Sequence, residues 1–145
     1  MHVSDVMTRE VVSVGPEATL TEAARTMKSF DIGPLPVCEG DQLLGVITDR
    51  DITVRATAEG RDPMHTTVSA VMTREIVCCL EADELESAAH LMQRNQLRRL
   101  LVVDNRGKLV GIVSMADLSL KSGDEQLAGE TLEKISEPTA APVES

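Results

Sequence analysis

The stretch VSDVMTREVV at residues 3–12 returns almost unchanged as VSAVMTREIV at residues 68–77, with VMTRE identical in both. Each copy is followed by a second shared stretch, GVITDRD at 45–51 and GIVSMAD at 111–117. Self-similarity at a fixed spacing marks a tandem duplication of a unit of roughly 55 residues. One unit cannot cover both faces of its own sheet, so the two copies are expected to depend on each other for a core.

A helix with one apolar face is predicted in each copy. The apolar residues follow the i, i+3, i+4, i+7 spacing of one helix face: Leu20, Ala23, Ala24 and Met27 in the first copy, and Leu85, Ala88, Ala89 and Met92 in the second. Thr19 with Glu22, and Asp83 with Glu86, have the spacing of a capping box at the helix start. The methionines that recur with the repeat are interpreted as core residues: Met7, Met27, Met72 and Met92.

Short apolar runs predict three strands in each copy: Glu10–Val14, Leu35–Cys38 and Leu43–Thr48, then Glu75–Cys79, Leu100–Val103 and Leu109–Ser114. The turn sequences EGDQ and DNRG make a hairpin of the last two strands of each copy. A second helix begins at the hydroxyl residue that follows and ends near Gly60 in the first copy. The order β-α-β-β-α predicts an α/β (α+β) fold with repeats at 1–60 and 68–121, a linker at 61–67 and an acidic helix and disordered tail at 122–145.

The closing motif has a purely structural interpretation. Thr48 and Ser114 stand where an N-cap is expected, and Asp51 and Asp117 stand three residues later as the acidic half of a capping box. The apolar pairs before them read as buried strand ends. A glycine at the start of each motif, Gly45 or Gly111, allows a close approach of backbone.

Composition excludes several classes of function. The chain has 145 residues, a net charge of −10 and Phe30 as its only aromatic residue. Such a charge disfavours binding to nucleic acid or anionic membranes, and one aromatic ring cannot build a stacking platform. No apolar run is long enough to span a bilayer and the first residues lack a signal peptide's apolar region, so a cytoplasmic location is expected.

The three cysteines, Cys38, Cys78 and Cys79, are odd in number and form no CxxC pair. Neither a disulfide framework nor a native metal site is expected, since the histidines show no ligand spacing with them. Packing is the favoured role for the Cys78–Cys79 pair, with redox sensing as the alternative.

The duplicated motifs, taken together, resemble those of a tandem pair of CBS (cystathionine β-synthase) domains, a Bateman module. The resemblance spans about residues 1–121 and is carried by VMTRE, LTEAARTM with ESAAHLM, GPLPV with RRLLVV, and the two closing motifs. The chain is most similar to small stand-alone bacterial CBS pairs of the hypoxic-response type. The resemblance implies two repeats related by a pseudo-twofold axis, with two clefts that in many members bind AMP, ADP, ATP or S-adenosylmethionine.

Carried over by position, the resemblance gives the closing motif a second role. Asp51 and Asp117 would accept hydrogen bonds from the two ribose hydroxyls, while Thr48 and Ser114 at a helix start would face phosphate. The adenine wall is implied to come from both repeats: Val12, Ile32, Gly33, Pro34 and Ile112 for the Asp117 cleft, and Val46, Val77, Leu97 and Arg98 for the Asp51 cleft. The intact apolar wall at Ile32–Pro34 favours the Asp117 cleft.

Arg98 and Arg99 replace Gly33 and Pro34 in the second copy, and three interpretations stay open. The arginines neutralise ligand phosphates, or make surface salt bridges with the many acids, or Arg98 fills the Asp51 cleft in place of a ligand.

A regulatory module that senses an adenosine-containing ligand is the expected function, with no cofactor required. The alternative is a non-catalytic dimerisation or interaction protein with vestigial or metal- or redox-responsive clefts. No catalytic set of residues is recognisable, so an enzyme is not expected. A homodimer is expected, and an unidentified protein partner is compatible with either function.

Overall fold

A computed structural model describes residues 1–121 and 123–137, and the tail from Pro138, expected to be disordered, lies outside them. The chain forms two compact units. The first-repeat unit contains Glu10–Ile76 and Val103–Leu109. The second-repeat unit contains Met1–Arg9, Val77–Val102 and the described residues from Val110 onward. Each unit therefore combines most of one repeat with the opening segment of the other, which we call the exchanged segment: Met1–Arg9 in the second-repeat unit and Val68–Ile76 in the first-repeat unit.

Helices and strands alternate in both units, which confirms the α+β prediction. The first repeat supplies these elements: α1 (Val3–Val6), α2 (Leu20–Phe30), β1 (Pro34–Glu39), β2 (Gln42–Thr48), α3 (Asp49–Asp51) and a π-helix (Ile52–Thr57). The second repeat supplies α4 (Val68–Val71), β3 (Cys78–Leu80), α5 (Leu85–Asn95), β4 (Arg99–Val103), β5 (Leu109–Ser114) and α6 (Met115–Leu120). The last described element is α7 (Glu125–Ile135). Within the described residues, no helix has the length and apolar character needed to span a membrane.

The two hairpins are confirmed. Strand β1 pairs antiparallel with β2, from Pro34 opposite Thr48 to Glu39 opposite Gln42. The second sheet has the order β3-β4-β5. Gly60 has a φ of 72°, the left-handed conformation expected of a residue that ends a helix. The preceding turn is a π-helix where an α-helix was expected, with Ala58 N donating to Thr53 O at 2.9 Å.

The predicted first strand is absent from the first copy, and in the second copy it is Cys78–Leu80 where Glu75–Cys79 was predicted. In the first repeat, Val14 makes an isolated parallel bridge to Val37, donating to Pro36 O and accepting from Cys38 N. Extending this ladder toward Glu10 requires an N–H at position 36, and proline has none. Position 101 of the second repeat holds leucine, and there β3 forms. The prediction of a strand at Glu10–Val14 is therefore wrong, because Pro36 has no N–H to donate to it.

Two further predictions about the helices are corrected. The Thr19–Glu22 capping box is confirmed, but in the second copy Glu84 is the N-cap, and Asp83 instead accepts from Leu80 N at 2.9 Å. Ala89 on α5 is fully buried while its counterpart Ala24 on α2 is exposed. Helix α7 packs on α5 and α6 and shares their core through Ala128, which explains why this alanine is buried only in the second copy.

Each core is completed by the exchanged segment. Val68, Val71 and Met72 belong to the first-repeat core, around Leu20, Leu35 and Ile47. The corresponding residues Val3, Val6 and Met7 belong to the second-repeat core. All six are at most 7% exposed. The repeating methionines are confirmed as core residues, since Met27 and Met92 are buried as well.

Candidate functional site

The glycine of the closing motif lies against the exchanged segment. A methyl group built on Gly45 would stand 2.6 Å from Thr73 O, and one on Gly111 would stand 2.8 Å from Thr8 O. Both distances are too short for a real side chain. The close approach expected at these glycines is thus made by backbone of the other repeat's opening segment.

Of the two residues after each glycine, the first bonds to the exchanged segment and the second packs in the core. Val46 and Thr73 exchange two backbone hydrogen bonds of 2.9 and 2.8 Å, and Ile112 and Thr8 exchange two of 2.9 Å. The residue after each, Ile47 or Val113, is fully buried. At the end of each strand, the backbone therefore pairs with the exchanged segment, while the next side chain packs in the core.

The hydroxyl and the aspartate form the capping box that their spacing predicts. Thr48 N donates to Asp51 Oδ2 at 3.0 Å, and Asp51 N donates to Thr48 Oγ1 at 3.0 Å. In the second copy Ser114 N donates to Asp117 Oδ2 at 2.8 Å, and Asp117 N donates to Ser114 Oγ at 3.3 Å. The side chains of Asp51 and Asp117 are only 13% and 9% exposed. Each unit therefore holds a nearly buried carboxylate at a helix start.

A cation four residues later meets the same carboxylate in both copies. Lys121 Nζ lies 3.1 Å from Asp117 Oδ1 and donates to Val6 O at 3.2 Å. Arg55 Nε lies 3.7 Å from Asp51 Oδ1, and the same guanidinium donates to Val71 O at 3.0 Å and Thr73 Oγ1 at 3.2 Å. Each cation thus connects the motif's aspartate to the exchanged segment.

Arg55 and Lys121 were missed by the sequence interpretation, although the signal was present. Both closing motifs continue as aspartate, three residues, then a cation, the i, i+4 spacing at which side chains meet on a helix. A charge that recurs at equivalent positions of a duplication is a better candidate than either charge alone.

The structure distributes the predicted site residues between the two units by repeat. The first-repeat unit holds Val12, Ile32, Gly33, Pro34, Val46, Thr48 and Asp51; the second-repeat unit holds Val77, Leu97, Arg98, Arg99, Ile112, Ser114 and Asp117. Inside each unit, the residue just before the hairpin bonds to the first residue of the helix that follows the hairpin. Asp49 N, at the start of α3, donates to Gly33 O, and Met115 N, at the start of α6, donates to Arg98 O. The assignment of wall residues from one repeat to the aspartate of the other stays a prediction.

Arg98 and Arg99 are both exposed, and among residues 1–121 and 123–137 neither makes an ion pair. The salt-bridge interpretation therefore gains no support. The phosphate and plug interpretations stay predictions.

The three cysteine thiols have pKa values raised above their usual range. Burial raises the pKa of Cys38 and Cys78, and it raises the pKa of Cys79 to about 12. All three are free thiols. A thiol is nucleophilic only as the thiolate, so burial favours the packing role for these residues. Within the described part of the chain, no group of three or more His, Cys, Asp or Glu side chains could hold a metal ion.

The chain is similar to known proteins of one family. The model of the CBS domain family matches residues 3–56 and 68–122. The CBS domain-containing protein YhcV of Bacillus subtilis is 45% identical over 134 residues, covering 92% of this chain and 94% of YhcV. The crystal structure of Hypoxic Response Protein I, described with two coordinated zinc ions, has a TM-score of 0.73 at 36% identity and covers 82% of this chain and 97% of that one.

A second similar structure was solved with ligands. The CBS domain pair of protein MJ0100, in complex with 5′-methylthioadenosine and S-adenosyl-L-methionine, has a TM-score of 0.66 at 28% identity. It covers 82% of this chain and 97% of that chain. The two closing motifs each fall within one matched repeat. The chain belongs to the CBS domain family as a tandem pair of repeats.

Proposed function

We propose that this chain is a regulatory module that senses an adenosine-containing ligand through Asp51 and Asp117. The observation that carries the proposal is that each unit presents a carboxylate that is nearly buried and still has acceptor capacity. A carboxylate accepts up to about four hydrogen bonds. The capping box and the cation take part of that capacity in each copy, and the rest is available to a ligand.

A vicinal diol is the group that suits such a carboxylate. Hydrogen bonds to an ionised acceptor are roughly twice as strong as those between neutral groups, and the gain is larger where water is partly excluded. Ribose supplies two adjacent hydroxyls, and the CBS pair of MJ0100 was solved with two ribose-containing ligands. AMP, ADP, ATP, S-adenosylmethionine and 5′-methylthioadenosine all share this group, so the ribose defines the ligand class.

The regulatory output is proposed to pass through the exchanged segments. A ligand on Asp117 changes the charge environment of Lys121, which also holds Val6 O. A ligand on Asp51 acts in the same way through Arg55 on Val71 O. Because Val6 and Val71 close the cores of their units, ligand binding is linked to the stability of each unit.

A homodimer is proposed as the working assembly. Large apolar side chains are exposed in both units: Phe30 at 58% and Val54 at 48%, and Leu120 at 83% and Leu132 at 45%. Exposed apolar groups of this size favour association. The same side chains favour a second candidate function, an interaction protein whose aspartates serve only as helix caps.

A thermal-shift and calorimetry panel separates the two functions. The probes are AMP, ATP, S-adenosylmethionine and 5′-methylthioadenosine, with GTP as the base control and 2′,3′-dideoxyadenosine as the diol control. A ligand present at 100 times its dissociation constant stabilises the fold by about 2.7 kcal/mol. Stabilisation by the ribose-containing adenosine compounds but not by the dideoxy compound supports sensing. No stabilisation by any of them at millimolar concentration supports the interaction protein.

A further inference from the structure

The two closing motifs leave their aspartates with different hydrogen-bonding capacity. Asp117 Oδ2 accepts from both Ser114 N at 2.8 Å and Ser114 Oγ at 3.1 Å, which uses both lone pairs of that oxygen. Lys121 Nζ, at 3.1 Å, takes one position on Oδ1. One acceptor position of Asp117 is then left.

Asp51 retains more. Its Oδ2 accepts only from Thr48 N, at 3.0 Å, among the described residues. Its Oδ1 has Arg55 Nε at 3.7 Å, an ion-pair distance that is too long for a hydrogen bond. Both oxygens of Asp51 therefore have a free lone pair, and a diol can place one hydroxyl on each.

The difference comes from how each cation is held by the exchanged segment. Arg55 Nη1 donates to three acceptors of that segment, Val71 O, Met72 O and Thr73 Oγ1. These bonds keep the guanidinium away from the carboxylate of Asp51. Lys121 has a single acceptor there, Val6 O, and its ammonium rests between this carbonyl and Asp117. A point charge on a flexible stem can meet both partners where a planar fork cannot.

We propose that the two aspartates recognise ribose differently: Asp51 takes both hydroxyls, Asp117 takes one, and Lys121 is the positioning residue that sets the difference. The inference rests on the proposed function and deepens it. It also reverses the ranking of the two aspartate sites that the apolar wall at Ile32–Pro34 favours. The ranking now depends on the free acceptor positions of each carboxylate and not on the surface that would contact the base.

Calorimetry with adenosine, 2′-deoxyadenosine and 3′-deoxyadenosine tests the proposal on proteins that keep one aspartate. In Asp117→Ala, which keeps Asp51, each deoxynucleoside is expected to bind about tenfold or more weakly than adenosine. In Asp51→Ala, which keeps Asp117, only one of the two deoxynucleosides is expected to lose affinity. Equal sensitivity of the two variants to both missing hydroxyls would overturn the proposal.

Lys121 is tested in the Asp51→Ala background. Lys121→Met frees Oδ1 and is expected to add discrimination against the second deoxynucleoside, whereas Lys134→Met, which removes a lysine that pairs with Glu137 instead, is the matched control. A merely structural role for Lys121 would weaken all three nucleosides by the same factor and leave their ratios unchanged, and that result refutes the assignment. Should Asp51→Ala fail to fold by circular dichroism, Asp51→Asn replaces it, since the amide keeps one oxygen for Thr48 N.

The same data separate this inference from the proposed function. If the unmodified protein binds none of the adenosine compounds, the sensing proposal is wrong and the ribose assignment falls with it. If adenosine binds and the two single-aspartate variants discriminate alike, sensing stands and only the assignment of hydroxyls is overturned.

Discussion

Replacing Gly45 by alanine should disconnect the exchanged segment from the first-repeat unit. The new methyl group would lie 2.6 Å from Thr73 O and 3.1 Å from Met72 Sδ. The sulfur can move because it ends a flexible side chain, but the carbonyl belongs to the backbone bridge between Thr73 and Val46. Gly45 does not have a positive φ, so alanine fits its backbone conformation and the clash is the main effect.

The magnitude follows from the two hydrogen bonds of that bridge, at 2.8 and 2.9 Å. Each contributes about 0.5–1.5 kcal/mol net, so losing both costs about 1–3 kcal/mol. Alanine returns about 0.5–1 kcal/mol because it loses less conformational entropy on folding than glycine does. Taking the middle of the two ranges, we expect Gly45→Ala to lower the free energy of unfolding by about 1 kcal/mol, the lower end of the cost of overpacked sites.

Urea unfolding followed by far-UV circular dichroism measures this change, since the chain has no tryptophan or tyrosine to report by fluorescence. Gly129→Ala is the matched control, because outside its chain neighbours and its own helix backbone no atom lies within 4 Å of the methyl group that alanine would add there. In the middle of α7 it is expected to stabilise by about 0.5–1 kcal/mol. A Gly45→Ala protein as stable as its parent, or more stable, would show that the segment does not approach this glycine as described.

Three further predictions concern pH, thiol reactivity and the last helix. Two backbone N–H groups hold the pKa of Asp104 below its usual 3.8, so its stabilisation is complete above that pH and is lost as pH falls through the folded value; Asp104→Asn should be less stable than the parent at neutral pH, with the difference closing in acid unfolding. With its pKa near 12, Cys79 should not react with a disulfide reagent at pH 8 until the protein is denatured. In the native protein it should react more slowly than Cys78, whose side chain is partly exposed, and equal rates there would contradict the burial of Cys79. Thr131→Val should destabilise by about 1 kcal/mol in urea unfolding, because Gln93 Nε2, 3.0 Å from the buried Thr131 Oγ1, loses its acceptor, whereas Thr26→Val, at an exposed hydroxyl on α2, should change little.

The repeat itself made most of the fold predictable. Two copies of one pattern doubled the evidence for every hairpin and helix, and the hydroxyl-to-aspartate spacing gave the capping boxes at Thr48 and Ser114 correctly. The errors lie where the copies differ. Pro36 removes an N–H that the first strand needs, and α7 buries one face of α5 that α2 leaves open. An inference transferred from one copy to the other is safe only where both copies meet the same neighbours.

The candidate site was half predictable. Asp51 and Asp117 follow from the motif, but the partners of their second oxygens depend on side chains from a distant segment. The spacing shows that Arg55 and Lys121 can reach an aspartate on the same helix turn. It does not show that Arg55 also donates to Val71 O or that Lys121 also donates to Val6 O. These contacts join residues 16 and 115 positions apart, and such a contact leaves no local sequence pattern.

The exchange of opening segments also constrains how the protein is made on the ribosome. Residues 1–60 emerge first, yet the first-repeat core lacks Val68, Val71 and Met72 until the linker and the next copy's opening have followed. Met1–Arg9 must wait longer, since Val3 N bonds to Asp83 O and Lys121 to Val6 O. Non-local closures of this kind slow folding. The chain is therefore expected to gain its cooperative structure only after Lys121 has emerged, and cutting within 61–67 should yield two fragments that fold when mixed and not apart.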